Sequence, residues 1–179
     1  MIRIIALCLL AQAAVAQTCP PAPDHADRMA AILSELRVAL TETEARVLTE
    51  ELWQLWTDVP DARVQELLDQ GMQQRSGYDF LGARDTFDML VEYCPDYAEG
   101  YNQRAFASFL RQDYAAALYD LDRALAINPD HIAALSGKGL TLMGMGRMEE
   151  AQEALRAAVA MNPWLRERGL LAPQPGIDL

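Results

Sequence analysis

Three prolines, Pro95, Pro129 and Pro163, stand 34 residues apart, and a fixed period over much of a chain limits its architecture more than any single motif does. The same spacing returns at unrelated positions. Small residues recur at Gly71, Ala105 and Gly139, and alanines at Ala83, Ala117 and Ala151. Larger apolar residues recur at Leu67, Tyr101 and Leu135 and again at Phe87, Leu121 and Leu155, with a ring or thioether at Phe80, Tyr114 and Met148. These positions describe a helical hairpin stacked on copies of itself. An amphipathic helix carries the first apolar residue and the small one; a short turn follows; a second helix carries the alanine and, four residues on, the bulky residue. Glycine or alanine at the small position lets the two backbones approach, and proline stops the second helix because it has no amide hydrogen and disfavours helical geometry in the residue before it.

This arrangement resembles the tetratricopeptide repeat, a 34-residue helix-turn-helix unit. The match is closest in "YNQRAFASFLRQDYAAALYDLDRALAINPD" and in "ALSGKGLTLMGMGRMEEAQEALRAAVAMNP", whereas the first unit has Gln70 and Gln74 where leucine and tyrosine are usual. The resemblance implies an all-α fold, a right-handed superhelical array of antiparallel helix pairs, with units over 64–97, 98–131 and 132–165. Ahead of them, "ADRMAAILSELRVAL" places Met29, Ile32, Leu33, Leu36 and Leu40 on one helical face, and the next segment places Val47, Leu48, Leu52, Leu55 and Trp56 on another. Thr41 and Glu44 form a capping box, and Pro60 closes the second helix. Residues 26–60 are therefore expected to be a degenerate fourth hairpin covering the exposed face of the first repeat, as terminal units of stacked arrays do. Residues 166–179 give a short cap and tail, which leaves the last repeat either thinly covered or covered by a partner.

The start of the chain, "MIRIIALCLLAQAAVA", has an early positive charge at Arg3, an apolar run and small residues at Ala14 and Ala16. This is the pattern of a cleaved export signal over 1–16, followed by a leader over 17–25. The apolar run is too short to span a bilayer. The expectation is an exported, periplasmic protein without an integral membrane segment. Cleavage removes Arg3 and Cys8, leaving 14 basic against 26 acidic residues, a net charge of −12. Such a surface repels phosphate backbones, so nucleic acid is not an expected partner. Cys19 and Cys94, with His25 and His131 far apart in sequence, provide no metal-ligand spacing, so no metal and no cofactor are expected.

No catalytic arrangement stands out. Gly137-Lys138-Gly139 lacks the strand that a phosphate-cradling loop follows, and Gly139 and Gly146 already have places in the repeat as packing and turn residues. His131, directly after "NPD", reads as an exposed linker histidine. Glu149 and Glu150 suit the positive end of a helix dipole. Trp53, Trp56 and Trp164 read as core or cap residues near the two ends of the array, with partner contact as the alternative.

What the resemblance adds is a concave groove lined by the first helix of each unit. Its positions correspond to Leu68, Met72 and Arg75, to Asn102, Phe106 and Phe109, and to Ser136, Leu140 and Met143. Family members that grip an acidic C-terminal tail carry lysine, asparagine and arginine at such places. Here Leu68, Met72, Ala133 and Gly137 replace them and Asn102 alone survives, so a carboxylate clamp of the chaperone-binding type is not expected. An apolar groove containing methionine suits a helix or an extended apolar segment of a protein or peptide. The expected function is a non-catalytic exported adaptor or scaffold. Competing readings are a chaperone-like holder or accessory subunit of an envelope complex and, less in keeping with the residues, a hydrolase in the N-terminal hairpin. Within the implied array, Cys94 ends the first unit on the rim where Cys19 leads in. A Cys19–Cys94 disulfide is therefore expected, and closing a loop of about 75 residues stabilises by roughly 4.5 kcal/mol on the loop-entropy account.

Overall fold

The computed structural model describes residues 18–173, so the expected export signal over 1–16 lies outside the described residues. Eight α-helices occupy them: α1 (Ala26–Val38), α2 (Glu42–Trp56), α3 (Ala62–Ser76), α4 (Phe80–Tyr93), α5 (Ala98–Leu110), α6 (Tyr114–Ile127), α7 (Ile132–Gly144) and α8 (Met148–Met161). A 3-10 turn, Arg166–Leu170, follows.

The helix ends follow from local chemistry. Thr41 Oγ1 accepts the Glu44 amide at 3.2 Å while the Glu44 carboxylate accepts the Leu40 amide at 3.1 Å, so the capping box closes one residue further back than its usual form. Asp61, Asp79 and Asp113 each cap a helix by accepting an amide three residues on. Helix α2 stops at Trp56, four residues short of Pro60, and the Thr57 hydroxyl donates to the Trp53 carbonyl.

Helices α3–α4, α5–α6 and α7–α8 form three antiparallel pairs, each stacked on the next. The 34-residue positions do the work expected of them. A Cβ added to Gly71 would run into the Phe87 ring, and one added to Gly139 would fall 2.5 Å from Leu155 Cγ. Phe87, Ala83, Leu121, Ala117, Leu155 and Ala151 are all buried. The turn inside each hairpin also keeps register: Tyr78, Gln112 and Gly146 have φ of 65°, 61° and 74°. Only the third uses the residue for which that left-handed conformation is free of strain.

The N-terminal hairpin does not stack on the first repeat. Helix α1 lies instead against α8, and α1 and α2 share a core with Ile132, Met161, Trp164 and Leu165 from the third repeat and its end. Register explains this. The positions through which α5 and α7 pack on the preceding pair are Gly100, Gln103 and Ala107 and then Ala134, Gly137 and Thr141; in α3 the same positions are Glu66, Asp69 and Gln73, all exposed. Two carboxylates and an amide would lose their water under a stacked hairpin, so the first repeat turns a finished polar face to solvent. Val47 and Leu40, expected on the apolar faces of the hairpin, are exposed, Leu40 because it lies beyond the end of α1.

The hairpin is a strap that crosses the joints between repeats. At the first joint Cys94 is disulfide-bonded to Cys19, with a Cα–Cα separation of 5.2 Å, and the Tyr97 hydroxyl donates to the Trp56 carbonyl at 2.8 Å. At the second, the His131 imidazole stacks on Trp56. At the third, Asn162 donates to Thr49 Oγ1 at 3.2 Å, and the Trp164 indole N–H donates to the Ala39 carbonyl at 3.0 Å. Tyr97, His131 and Leu165 are one repeat position, and so are Cys94, Asn128 and Asn162. The joints that end each unit therefore also hold the strap.

Beyond α8, Gln152 donates to the Leu170 carbonyl and accepts the Ala172 amide, and Arg156 donates to the Ala172 carbonyl. Residues 166–172 thus lie along α8 as a thin cap.

Candidate functional site

Folding the strap across the joints leaves a cavity of about 380 Å³ on the concave side, a size typical of small-molecule and side-chain pockets. Six of the nine positions expected to line the groove surround it: Arg75, Asn102, Phe106, Phe109, Ser136 and Leu140. The other three do not. Leu68 is 0% exposed and belongs to the core with Phe87 and Leu90, so it is corrected from groove to core residue. Met72 is half-buried against that core, and Met143 packs on the cluster of Leu142, Ala151 and Ala154. Both methionines are spent on internal packing. The structure adds Trp53 from the strap and Leu165 and Glu167 from the C-terminal end, which wall one side of the cavity. Their place there could not be read from the repeat pattern, since it depends on the strap reaching the far end of the array.

One charged side chain on the cavity wall comes from inside the array. Arg75 lies over the Phe106 ring, 4.6 Å from its centroid, and donates to the side-chain amide oxygen Oε1 of Gln103. Among the described residues its guanidinium has no carboxylate within ion-pair distance. Burial pulls its pKa below the usual range, against the pull of the Glu99 charge.

Behind Arg75 runs a buried polar chain. Gln103 donates to Glu99, Asn102 donates to both Glu99 oxygens at 3.1 and 3.3 Å, and His131 Nε2 sits 2.8 Å from Glu99 Oε2. Glu99 is 1% exposed and His131 0%. The exposed linker histidine expected from "NPDH" is thus a buried one. His131 Nδ1 accepts the Ala134 amide at 3.4 Å as the cap of α7, which leaves Nε2 as the protonated nitrogen that donates to Glu99. Trp56 covers the ring. Asn102, which survives from the clamp pattern, is committed to Glu99 and faces the cavity with little free capacity. Among the described residues no group of three or more metal-ligating side chains converges.

The arrangement has no nucleophile with an adjacent base on the cavity wall. It offers an apolar chamber, a lone guanidinium and the Ser136 and Thr141 hydroxyls, which can bind and orient a ligand. No helix among the described residues is long and apolar enough to cross a membrane.

Comparison with known proteins agrees with this fold. Residues 108–164 match the tetratricopeptide repeat family. The tetratricopeptide repeat protein 36 homolog of Nematostella vectensis is 39% identical over 77 residues, 43% of this chain and 41% of the relative. A TPR repeat-containing protein of Rhizobium etli is 28% identical over 122 residues, 66% of this chain and 58% of the relative. The chain therefore spans about half the length of the curated relatives it matches. Among solved structures, the first TPR of Spaghetti bound to an HSP90 peptide superposes with a TM-score of 0.59 at 21% identity, over 60% of this chain and 86% of that one. That likeness speaks to the fold.

Proposed function

We propose that this chain, a tetratricopeptide repeat protein, is a non-catalytic adaptor that binds a protein or peptide segment in the strapped concave cavity. The observation that carries the reading is the cavity itself: Phe106, Phe109, Leu140 and Ala133 leave apolar surface open on the concave side, and Phe106 is 45% exposed. Exposed aromatic rings beside an apolar recess are the usual anchors of a polypeptide contact. Spaghetti's first TPR takes a peptide in its solved complex, which supports a polypeptide occupant here.

The clamp chemistry of acidic-tail binders is not part of the proposal, because Leu68 is in the core and Ala133 and Gly137 offer no donor side chain. Export belongs to it: the segment Met1–Ala16 has the pattern of a cleaved signal, and the Cys19–Cys94 disulfide suits an oxidising compartment.

The test is a pull-down from an envelope extract with the exported form and its Leu140→Glu variant. The adaptor reading expects one or two stoichiometric partners that the variant loses. Equal recovery by both proteins would place the contact elsewhere, and suppression of aggregation of many unfolded chains would favour a holder.

A further inference from the structure

We infer that the strapped cavity also accepts a free small molecule, an apolar monocarboxylate whose acid group meets Arg75 and whose body fills the recess between α5 and α7. This goes beyond the polypeptide reading and rests only on the cavity. Three observations lead to it. First, the cavity of about 380 Å³ is lined by Trp53, Leu165 and Glu167 as well as by α5 and α7, a volume that a compact ligand can fill. Second, its walls carry a guanidinium with no ion-pair partner. Arg75 has a ring on one face and the Gln103 side-chain amide oxygen as neighbour, no carboxylate among the described residues lies within ion-pair distance of it, and the Glu99 charge reaches it only from behind Gln103. A partly buried guanidinium is best satisfied by a planar anion that accepts two of its N–H groups. Third, Thr141 lines the same cavity, and its buried hydroxyl has no hydrogen-bond partner, although such groups are nearly always paired. The ligand's oxygens answer both deficits. Glu167, on the side wall, disfavours a second acid group and so restricts the ligand to a single carboxylate.

Other recesses carry less. The hollow beside Cys19 and Cys94 encloses about 600 Å³, but its charged lining residues, Glu92 and Asp96, are exposed and offer no buried group to orient a ligand.

The experiment is calorimetric titration of the exported form with decanoate and with decan-1-ol, repeated on Arg75→Gln and on Ala133→Phe, with circular dichroism confirming that each variant keeps its helices. The expected result is 1:1 binding of decanoate about tenfold or more tighter than decanol. Arg75→Gln removes that preference while leaving decanol unchanged, and Ala133→Phe weakens both. Decanoate binding no tighter than decanol, or an undiminished preference in folded Arg75→Gln, overturns the proposal. If Arg75→Gln fails to fold, Ala133→Phe decides: unchanged decanoate binding there overturns it equally. Loss of the ligand with retention of a polypeptide partner, or the reverse, separates this inference from the adaptor reading.

Discussion

Trp56 lies nearly flat on the imidazole of His131, with ring centroids 4.2 Å apart and planes 16° from parallel. One residue belongs to the strap and the other to the joint between the second and third repeats, so this stack fastens two parts of the chain that are 75 positions apart in sequence. Removing His131 uncovers Trp56, uncaps α7 and leaves Glu99 buried without one of its donors. We predict that His131→Ala costs about 3–5 kcal/mol, the range for breaking one side of a buried polar pair. A double-mutant cycle of Trp56→Leu with His131→Gln should return about 0.5–1.5 kcal/mol of coupling in urea unfolding, the value for a stacked ring pair.

The Cys19–Cys94 disulfide ties the leader to the first joint. Replacing both cysteines by serine is expected to lower stability by up to about 4.5 kcal/mol on the loop-entropy account. Because the first joint then keeps only the Tyr97–Trp56 hydrogen bond and the other strap contacts lie at the second and third joints, the change should appear first as faster amide exchange in α1 and α2, with α5–α7 protected. Uniform loss of protection through all helices would contradict the strap as a separately pinned element.

The inner turns of the repeats hold unused stability. Gln112 is exposed with φ 61° at the position where the third repeat has Gly146. Gln112→Gly should therefore raise stability by about 0.5–1 kcal/mol, and Gly146→Ala should lower it by about 1 kcal/mol, both read from urea midpoints at constant m. By contrast Gly71→Ala forces a methyl group into the Phe87 ring and is expected to cost about 1–3 kcal/mol.

Asp61 sets part of the acid response. The Val64 amide and then the Tyr93 hydroxyl donate to its carboxylate and hold its pKa below the usual carboxylate range. A folded value below the unfolded one gives stability that is present above about pH 4, the unfolded carboxylate value, and is lost as the pH falls through the lowered folded value. Asp61→Asn keeps the helix cap but removes this proton linkage. The stability gap between wild type and variant should stay level from pH 6 to about pH 5 and then narrow as urea unfolding is repeated down to pH 3; a constant gap throughout would rule out the assignment.

The repeat period made the three stacked pairs legible because each of its positions has a steric role that a helix pair cannot avoid: Gly71 under Phe87, Gly139 under Leu155, proline after α4, α6 and α8. Six cavity residues followed from the resemblance to the tetratricopeptide repeat. The strap did not, since apolar faces on α1 and α2 say that they are covered and not by what. A signal was present: Glu66, Asp69 and Gln73 stand where the later units have Gly100, Gln103 and Ala107, and these polar groups forbid a stacked neighbour. His131 was misread for a related reason. Its register partners Tyr97 and Leu165 are bulky, and Tyr97 is buried and Leu165 half-buried, so the position is one the array covers. Arg75 was visible as a groove residue, but the absence of a counter-ion is a property of three-dimensional neighbours.

The most direct measurement of the central claim, that the concave cavity is the binding site, is site-specific photocrosslinking in envelope extract. Benzoylphenylalanine placed at Phe106, 45% exposed on the cavity wall, is compared with the same group at Met89, 48% exposed on α4 away from the cavity. The account predicts a discrete covalent adduct from position 106 that decreases when Leu140→Glu is added, and none from position 89. Adducts from position 89 alone, or equal adducts from both, would contradict it.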